Sequence, residues 1–242
     1  MMKKDLHTHT VLSDGENSAE EMIEAAIAKG LDVIGISDHS FTSFDTSYCM
    51  KLEDYGPYVR QIGSLKKKYE GKIQVLCGLE CDCYSDKIPE GLDYIIGSVH
   101  YVKADGKYLV IDWNEEVFRK IIEDHFHNDP YALCEAYYET LSSVYGKTHC
   151  DIVGHFDLIT KFNEGDRFFD EHADRYVSAW KKAMEKLVKD VKCFEINHGA
   201  VNKGLRSVPY LNEEMRSYLL SLGGYYIDSS DAHTTANVGR FE

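Results

Sequence analysis

Six of the eleven histidines in this 242-residue chain lie in five short motifs, each at or just beyond the end of a predicted strand. They are His7, His9, His39, His100, His155 and His233. Glu80 follows another predicted strand in the same way. Neutral imidazole binds Zn, Fe or Mn, and carboxylates can bridge two ions. The set therefore predicts a multinuclear metal site, which is typical of a metal-dependent hydrolase.

Strand and helix patterns alternate along most of the chain. Ser18-Ala19-Glu20-Glu21 has the pattern of a capping box, and Gly30 ends the helix that it opens. Seven strands are predicted, among them 33–36, 73–76, 94–96, 151–153, 194–196 and 225–227. Further helices are predicted at 52–69, 115–127, 130–145, 171–188 and 212–222. Residues 103–107 predict a hairpin turn that interrupts the repeat. The alternation favours parallel pairing, and its closed form is an α/β barrel with one domain.

Composition limits the partners. The formal charge of −14, from 41 acidic and 27 basic residues, leaves no broad cationic surface for a phosphate backbone. We expect no nucleic-acid partner. No apolar run approaches the length of about 18 residues that a membrane span needs, and the N-terminus has no signal-peptide core. The chain is expected to be soluble and cytoplasmic, and its seven scattered cysteines favour reduced core thiols.

The spacing of the histidines supports shared metal ligation. In His7-Thr8-His9 the two imidazoles lie on the same side of an extended chain, so they can bind one ion. His125 and His127 have the same spacing in a predicted helix, where the side chains point about 200° apart. That second pair is not expected to chelate a metal. Asp231-Ala232-His233 repeats the arrangement of the first pair at another strand end.

The motifs, read together, resemble the polymerase and histidinol phosphatase (PHP) superfamily from end to end. The resemblance rests on Asp5-Leu6-His7-Thr8-His9, Ser37-Asp38-His39, Gly78-Leu79-Glu80, Ser98-Val99-His100, Gly154-His155-Phe156-Asp157 and Ser230-Asp231-Ala232-His233. Glu195-Ile196-Asn197-His198-Gly199-Ala200, followed by Gly204-Leu205-Arg206 and Pro209-Tyr210, resembles the histidinol-phosphatase branch. The resemblance implies a distorted (β/α)7 TIM-like barrel and one PHP metal-dependent phosphoesterase domain over residues 1–242. Because the chain stops soon after its last motif, a C-terminal covering helix is expected to be absent.

The resemblance also implies two to three divalent ions, Zn, Fe or Mn, held by nine residues. By position, the first ion would be held by His7, His9, Glu80 and Asp231. The second would be held by Glu80, His100 and His155. The third would be held by Asp14, His39 and His233. Several family members have a histidine near the position of Asp14.

The implied reaction is hydrolysis of L-histidinol phosphate to L-histidinol and phosphate, a step of histidine biosynthesis. Three divalent ions and the carboxylates of Asp14, Glu80 and Asp231 would leave a local charge of about +3, which attracts a phosphate dianion. A metal-bridging water, its pKa lowered from about 15.7 toward about 7, would supply the attacking hydroxide. Asp231, His233 or a metal-bound water would protonate the leaving group, and Glu80 would bridge the ions. The alternatives are a PHP phosphoesterase or nuclease for another phosphoester, and a non-catalytic metal-binding module.

Candidate substrate groups follow two of the strands. Arg206 and Lys203 lie beyond strand 194–196, where a guanidinium fork or an ammonium can pair with phosphate. Further candidates are Asn197, His198 and Arg167, with Lys161 as a weaker one. The cationic amino-imidazole end predicts an acidic or aromatic wall, for which Asp112, Trp113, Asp157 and Tyr101 are candidates. The sequence leaves the oligomeric state open.

Overall fold

The computed structural model describes residues 2–241. Its ten strands are β1 (Lys4–Asp5), β2 (Val33–Ile36), β3 (Gln74–Cys77), β4 (Glu80–Asp82), β5 (Ile96–Ser98), β6 (Tyr101–Ala104), β7 (Lys107–Val110), β8 (Ile152–Val153), β9 (Cys193–Asn197) and β10 (Tyr225–Ser229). Its eight α-helices are α1 (Ala19–Ala28), α2 (Tyr55–Lys68), α3 (Glu115–His125), α4 (Pro130–Leu141), α5 (Val144–Thr148), α6 (Asp174–Leu187), α7 (Gly199–Asn202) and α8 (Glu213–Ser221). Short 3₁₀ turns occupy Leu52–Asp54 and Leu158–Thr160.

Parallel strands form two sheets, in the orders β1-β2-β3 and β10-β9-β8-β5-β4. Two isolated parallel bridges join the sheets beyond the strand ends, Thr8 with Ala232 and His39 with Glu80. The predicted α/β fold with parallel strands is therefore confirmed. The bridges also link the sheets in the order of a seven-position barrel, in which β3 and β4 share one position. All the predicted ligand motifs lie at the carboxyl ends of these strands or at the β3–β4 break.

The break between β3 and β4 has a packing cause. Tyr94 fills the space inside the strands, and its hydroxyl donates to the Leu6 carbonyl at 2.5 Å. A Cβ on Gly35 would lie 2.0 Å from the Tyr94 hydroxyl oxygen, and one on Gly78 would lie 2.2 Å from Cζ of the Tyr94 ring. Both positions therefore require glycine. The chain then passes Tyr94 and places Glu80 at the start of β4.

The helices begin and end close to the predicted positions. Ser18 and Glu21 form the predicted capping box: Glu21 N donates to Ser18 Oγ at 3.3 Å, and Ser18 N donates to Glu21 Oε2 at 2.8 Å. The helix predicted at 130–145 is interrupted near its end, since α4 ends at Leu141 and the short α5 begins at Val144. The helix predicted at 171–188 begins later, at Asp174. The hairpin predicted around 103–107 is confirmed as β6 and β7.

One correction and one further feature concern the remaining parts of the chain. Helix α3 ends at His125, and His127 has a left-handed backbone (φ 53°), so these histidines do not share a helix. After β10, the chain turns back over the seam between β10 and β1. The buried Asp5 carboxylate accepts hydrogen bonds from Ser230 N at 3.1 Å and Gly239 N at 2.7 Å. No helix of residues 2–241 is long and apolar enough to cross a membrane.

Candidate metal centre

Glu80 is at the centre of the predicted ligand set. Its side chain is buried. Oε1 lies 2.7 Å from His155 Nε2 and 3.3 Å from His100 Nε2. Oε2 lies 2.8 Å from His39 Nδ1, 3.2 Å from His7 Nε2 and 3.5 Å from His9 Nε2. One carboxylate thus contacts imidazoles from four different strand ends, an arrangement that suits a bridging ligand.

Two other carboxylates complete the arrangement. Asp231 Oδ1 lies 3.2 Å from His9 Nε2 and 3.7 Å from His7 Nε2. Asp231 also has a left-handed backbone (φ 50°), which an aspartate adopts at a conformational cost. Asp14 Oδ2 lies 3.2 Å from His233 Nε2, and its Oδ1 lies 3.5 Å from His39 Nε2 and 3.8 Å from His9 Nδ1. All nine predicted ligands are therefore brought together.

The ligand atoms fall into three groups whose members lie within 4.8 Å of one another. The groups are His7, His9 and Glu80; His39, Glu80 and His100; and His9, Asp14, His39 and His233. His9 and His39 each belong to two groups, whereas the sequence assigned each to one ion. The structure therefore packs the candidate sites against one another more closely than the sequence indicated.

Several buried donor and acceptor atoms in this cluster make no hydrogen bond of good geometry within residues 2–241, although some of them lie close to one another. They are His7 Nε2, His9 Nδ1 and Nε2, Glu80 Oε2 and His155 Nδ1. A buried polar atom without a partner costs about 1–3 kcal/mol, so most such atoms find one. Imidazole nitrogens and carboxylate oxygens are ligands of divalent transition metals. The donor set fits bound metal ions.

Charge coupling within the cluster is strong. Burial would lower the pKa of His7, but the carboxylates of Glu195, Glu80 and Asp231 raise it well above its usual 6.5. Burial, with the nearby imidazoles of His233 and His39, lowers the pKa of His9 to about 3. Burial also raises the pKa of Glu80, but His39, His7 and His100 hold it well below its usual value. A charged carboxylate at this depth is what a metal ligand requires.

Two further carboxylates hold the ligating imidazoles from behind. Glu195, on β9, faces His7 Nδ1 with its two oxygens at 2.9 and 3.1 Å. Asp82, on β4, lies 3.1 Å from His100 Nδ1. Such contacts fix the ring orientation and leave the opposite nitrogen free to ligate. The sequence analysis did not assign these roles, although a carboxylate inside a buried apolar strand is the signal that could have indicated them.

A cavity of about 230 Å³ opens beside the cluster. Seven of the nine predicted ligands, Glu80 among them, line it, together with aromatic, acidic and basic side chains. These aromatic, acidic and basic side chains are Asp45, Tyr48, Tyr101, Asp112, Trp113, Lys161, Lys203 and Tyr210. Lys161 Nζ donates to Asp112 at 2.8 Å (backbone oxygen) and 3.0 Å (Oδ2). Of the wall predicted from sequence, Asp157 alone is not in the lining. Burial raises its pKa to about 6, and its Oδ1 accepts from Leu211 N at 2.5 Å.

Of the five predicted substrate-binding residues, only Lys203 lines the cavity. No carboxylate of residues 2–241 lies within 4 Å of the Lys203 ammonium. Arg206 is buried behind the lining, and its Nη1 and Nη2 donate to the two oxygens of Glu171 at 2.9 and 3.2 Å. Contact between Arg206 and phosphate would require that pair to break. Arg167 is exposed and pairs with Glu115 at 2.5 Å.

Asn197 and His198 also lie outside the lining of the cavity. Asn197 Nδ2 donates to Glu195 Oε1 at 2.8 Å and to Asp231 Oδ2 at 3.3 Å. Its Oδ1 accepts from Gly199 N at 2.8 Å. His198 Nε2 lies 3.1 Å from Asp228 Oδ1. Asn197 therefore supports the carboxylates of Asp231 and Glu195. Direct contact of Asn197 or His198 with substrate stays a prediction.

Comparison with known proteins agrees with the geometry. The PHP domain matches residues 5–199. The chain belongs to the PHP domain family. This PHP domain is 27% identical to the histidinol-phosphatase of Bacillus subtilis, over 99% of this chain and 96% of that protein.

Two solved structures share the fold of this PHP domain. A Listeria monocytogenes protein described as a candidate histidinol phosphatase has a TM-score of 0.85 and 22% identity, covering 99% of this chain and 98% of its own. The histidinol phosphate phosphatase of Lactococcus lactis has a TM-score of 0.71 and 19% identity, covering 97% and 87%. The latter was solved with Zn, L-histidinol and phosphate.

Proposed function

We propose that this PHP domain is a metal-dependent phosphomonoesterase that hydrolyses L-histidinol phosphate to L-histidinol and phosphate. The observation that carries the proposal is the convergence of five histidines on the Glu80 carboxylate, beside a cavity that holds an unpaired ammonium. The choice of substrate is supported by the end-to-end match with the Bacillus subtilis histidinol-phosphatase. The Lactococcus lactis structure, with Zn, L-histidinol and phosphate, shows that the fold can hold both products.

Two to three divalent ions, Zn, Fe or Mn, would be held by nine residues of the single domain 1–242. These are His7, His9, Asp14, His39, Glu80, His100, His155, Asp231 and His233. When bound, such ions supply positive charge and make hydroxide available as a nucleophile at neutral pH. The partnerless buried nitrogens of His7 and His9 support this assignment, since a metal would satisfy them.

The protein's own side chains would bind and orient the phosphate end. Lys203 lies in the cavity with Asp231 and His233. Burial would raise the pKa of Asp231, but His7, His9, His233 and, last, Lys203 hold it well below its usual value. An ammonium without a carboxylate partner can pair with a phosphoryl oxygen. Since the surrounding charges keep Asp231 ionised, His233, which lines the same cavity, would give the proton to the leaving alkoxide. Their contact through the Asp231 carbonyl, 2.9 Å from His233 Nδ1, would orient that imidazole.

The acidic and aromatic side chains of the lining suit a cationic, aromatic leaving group. Asp45 and Asp112 provide carboxylates there, and Tyr101 and Trp113 provide rings. The Tyr101 hydroxyl donates to Asp45 Oδ2 at 2.8 Å and so holds that carboxylate in place. An ammonium or imidazolium gains from both carboxylates and aromatic faces. The lining thus has an ammonium for phosphate and carboxylates for a cation, which supports histidinol phosphate as the substrate.

Phosphate release by metal-reconstituted protein tests the proposal. The panel contains histidinol phosphate, two phosphomonoesters without a cationic group, a nucleotide and a 5′-phosphorylated single-stranded oligonucleotide. We expect the highest kcat/KM with histidinol phosphate, because only this substrate has a cation for the acidic wall. Equal or faster cleavage of the oligonucleotide would support the nuclease alternative instead. Lack of release from every member of the panel would contradict phosphoesterase activity.

A further inference from the structure

Tyr210 occupies a rigid position next to the metal centre. Its backbone N donates to the Asn197 carbonyl at 2.9 Å, and the two residues form an isolated antiparallel bridge. The next residue, Leu211, has a left-handed backbone (φ 61°), and its N donates to the buried Asp157 carboxylate at 2.5 Å. The chain is therefore held on both sides of Tyr210, and its ring has little freedom to move.

The side chain of Tyr210 is buried and lines the cavity. Its ring centroid lies 6.2 Å from that of His155, at an interplanar angle of 70°. The hydroxyl has no hydrogen-bond partner within residues 2–241. The fully buried hydroxyls of Tyr58, Tyr137 and Tyr138, by contrast, all have partners. Leaving a buried hydroxyl unpaired is unfavourable, so a group that enters the cavity is expected to pair with it.

The position of this hydroxyl identifies the group. Tyr210 stands beside His155, a predicted metal ligand, so a phosphoryl group held at that ligand would lie next to it. Burial, with the carboxylates of Asp157, Asp112 and Asp231, raises the pKa of the phenol well above its usual range. The hydroxyl is therefore a neutral hydrogen-bond donor.

We propose that the Tyr210 hydroxyl donates a hydrogen bond to a phosphoryl oxygen of the bound phosphomonoester. This inference rests on the proposed function for its substrate. A donor fixed by the backbone needs no reorganisation when the phosphoryl group arrives, which is the condition under which a hydrogen bond contributes most to binding and catalysis. Tyr210 would hold the phosphoryl group from the protein side while its other oxygens face the metal ligands.

The substitution Tyr210→Phe removes the hydroxyl and keeps the ring that packs against His155. Two quantities are measured on metal-reconstituted protein, namely the Kd of inorganic phosphate and kcat/KM for histidinol phosphate. Because the acceptor is charged, we expect both to worsen by roughly ten- to a hundredfold. Metal content and melting temperature should stay as in the wild type. Tyr176→Phe is the matched control, since Tyr176 is equally buried and its hydroxyl pairs with Tyr138 at 3.0 Å, away from the cavity.

The phosphate measurement separates this inference from the proposed function. If wild-type protein binds phosphate but hydrolyses none of the phosphomonoesters, the proposed function fails, and the phosphate Kd of Tyr210→Phe still decides the role of the hydroxyl. A phosphate Kd within about twofold of wild type would overturn the inference. Loss of metal from Tyr210→Phe would overturn it as well, because the residue would then act by supporting His155. Absence of phosphate binding by wild-type protein would also overturn the inference.

Discussion

Replacing Glu195 with glutamine should weaken metal binding although Glu195 is not a predicted ligand. The carboxylate accepts from His155 N at 2.7 Å, Asn197 Nδ2 at 2.8 Å and Ser229 Oγ at 2.7 Å, and it faces His7 Nδ1 at 2.9 Å. All of these groups are donors when His7 ligates through Nε2. Glu195→Gln keeps the shape of the side chain but replaces one acceptor oxygen with an NH₂ group.

The substitution leaves the four donors with a single acceptor oxygen. It also allows the His7 ring to take the other tautomer, with Nδ1 accepting from the new NH₂ group and the proton moved to Nε2, the ligating atom. Loss of a carboxylate that orients a metal-bound histidine typically lowers metal affinity about 10- to 100-fold. That corresponds to roughly 1.4 to 2.8 kcal/mol. We expect a loss of this size at the site that contains His7.

Competition with a chromophoric zinc chelator measures the affinity directly in metal-free protein. Glu171→Gln is the matched control, because Glu171 also forms paired hydrogen bonds, with Arg206, but touches none of the predicted ligands. Circular dichroism of both variants establishes that the fold is retained. A zinc affinity of Glu195→Gln within about threefold of wild type would refute the role given to Glu195.

Three further predictions follow from the same geometry. Reconstituted protein should contain two to three divalent ions per chain by elemental analysis, and less than one would contradict the metal centre. His9→Ala and Glu80→Gln should each abolish phosphatase turnover while circular dichroism stays native, since these residues form a site and the apolar core supplies stability; wild-type turnover in either variant would refute the ligand set. Lys203→Ala should lower kcat/KM for histidinol phosphate by roughly ten- to a hundredfold. Arg206→Ala should instead lower the melting temperature by unpairing Glu171. An unchanged melting temperature with lost phosphate affinity would make Arg206, and not Lys203, the better candidate for phosphate binding.

The sequence predicted the fold well where local chemistry determines it. The capping box at Ser18 and the hairpin turn at Asp105 and Gly106 depend on neighbouring residues only, and both are present. The break between β3 and β4 could not be predicted, because it depends on Tyr94, which is distant in sequence from Gly35 and near Gly78 only in space. The end of α4 at Leu141 was missed for a similar reason, since the apolar pattern continues into α5.

The candidate ligands were accessible from sequence because their positions follow from a repeated rule. Eight of the nine predicted ligands lie at or just beyond a strand end, and Asp14 lies in the loop after β1. Parallel strands bring their carboxyl ends to one face. The carboxylates behind the imidazoles follow no such rule. Glu195 and Asp82 become recognisable only when the ring nitrogens of His7 and His100 are seen to face them. His9 and His39 each belong to two ligand groups, which depends on distances between atoms in space and cannot be read from residue spacing along the chain.

The two basic residues after β9 illustrate where sequence reasoning stops. From the chain alone, Arg206 is the better phosphate ligand, because a guanidinium offers two parallel donors where Lys203 offers a point charge. That ranking assumes that both side chains are free. In the structure Glu171 accepts both donors of Arg206, so binding phosphate would first require the loss of a buried charge pair. Lys203 has no such competitor within residues 2–241, and its ammonium already acts on Asp231. Availability therefore outweighs donor geometry, and the weaker donor becomes the better candidate.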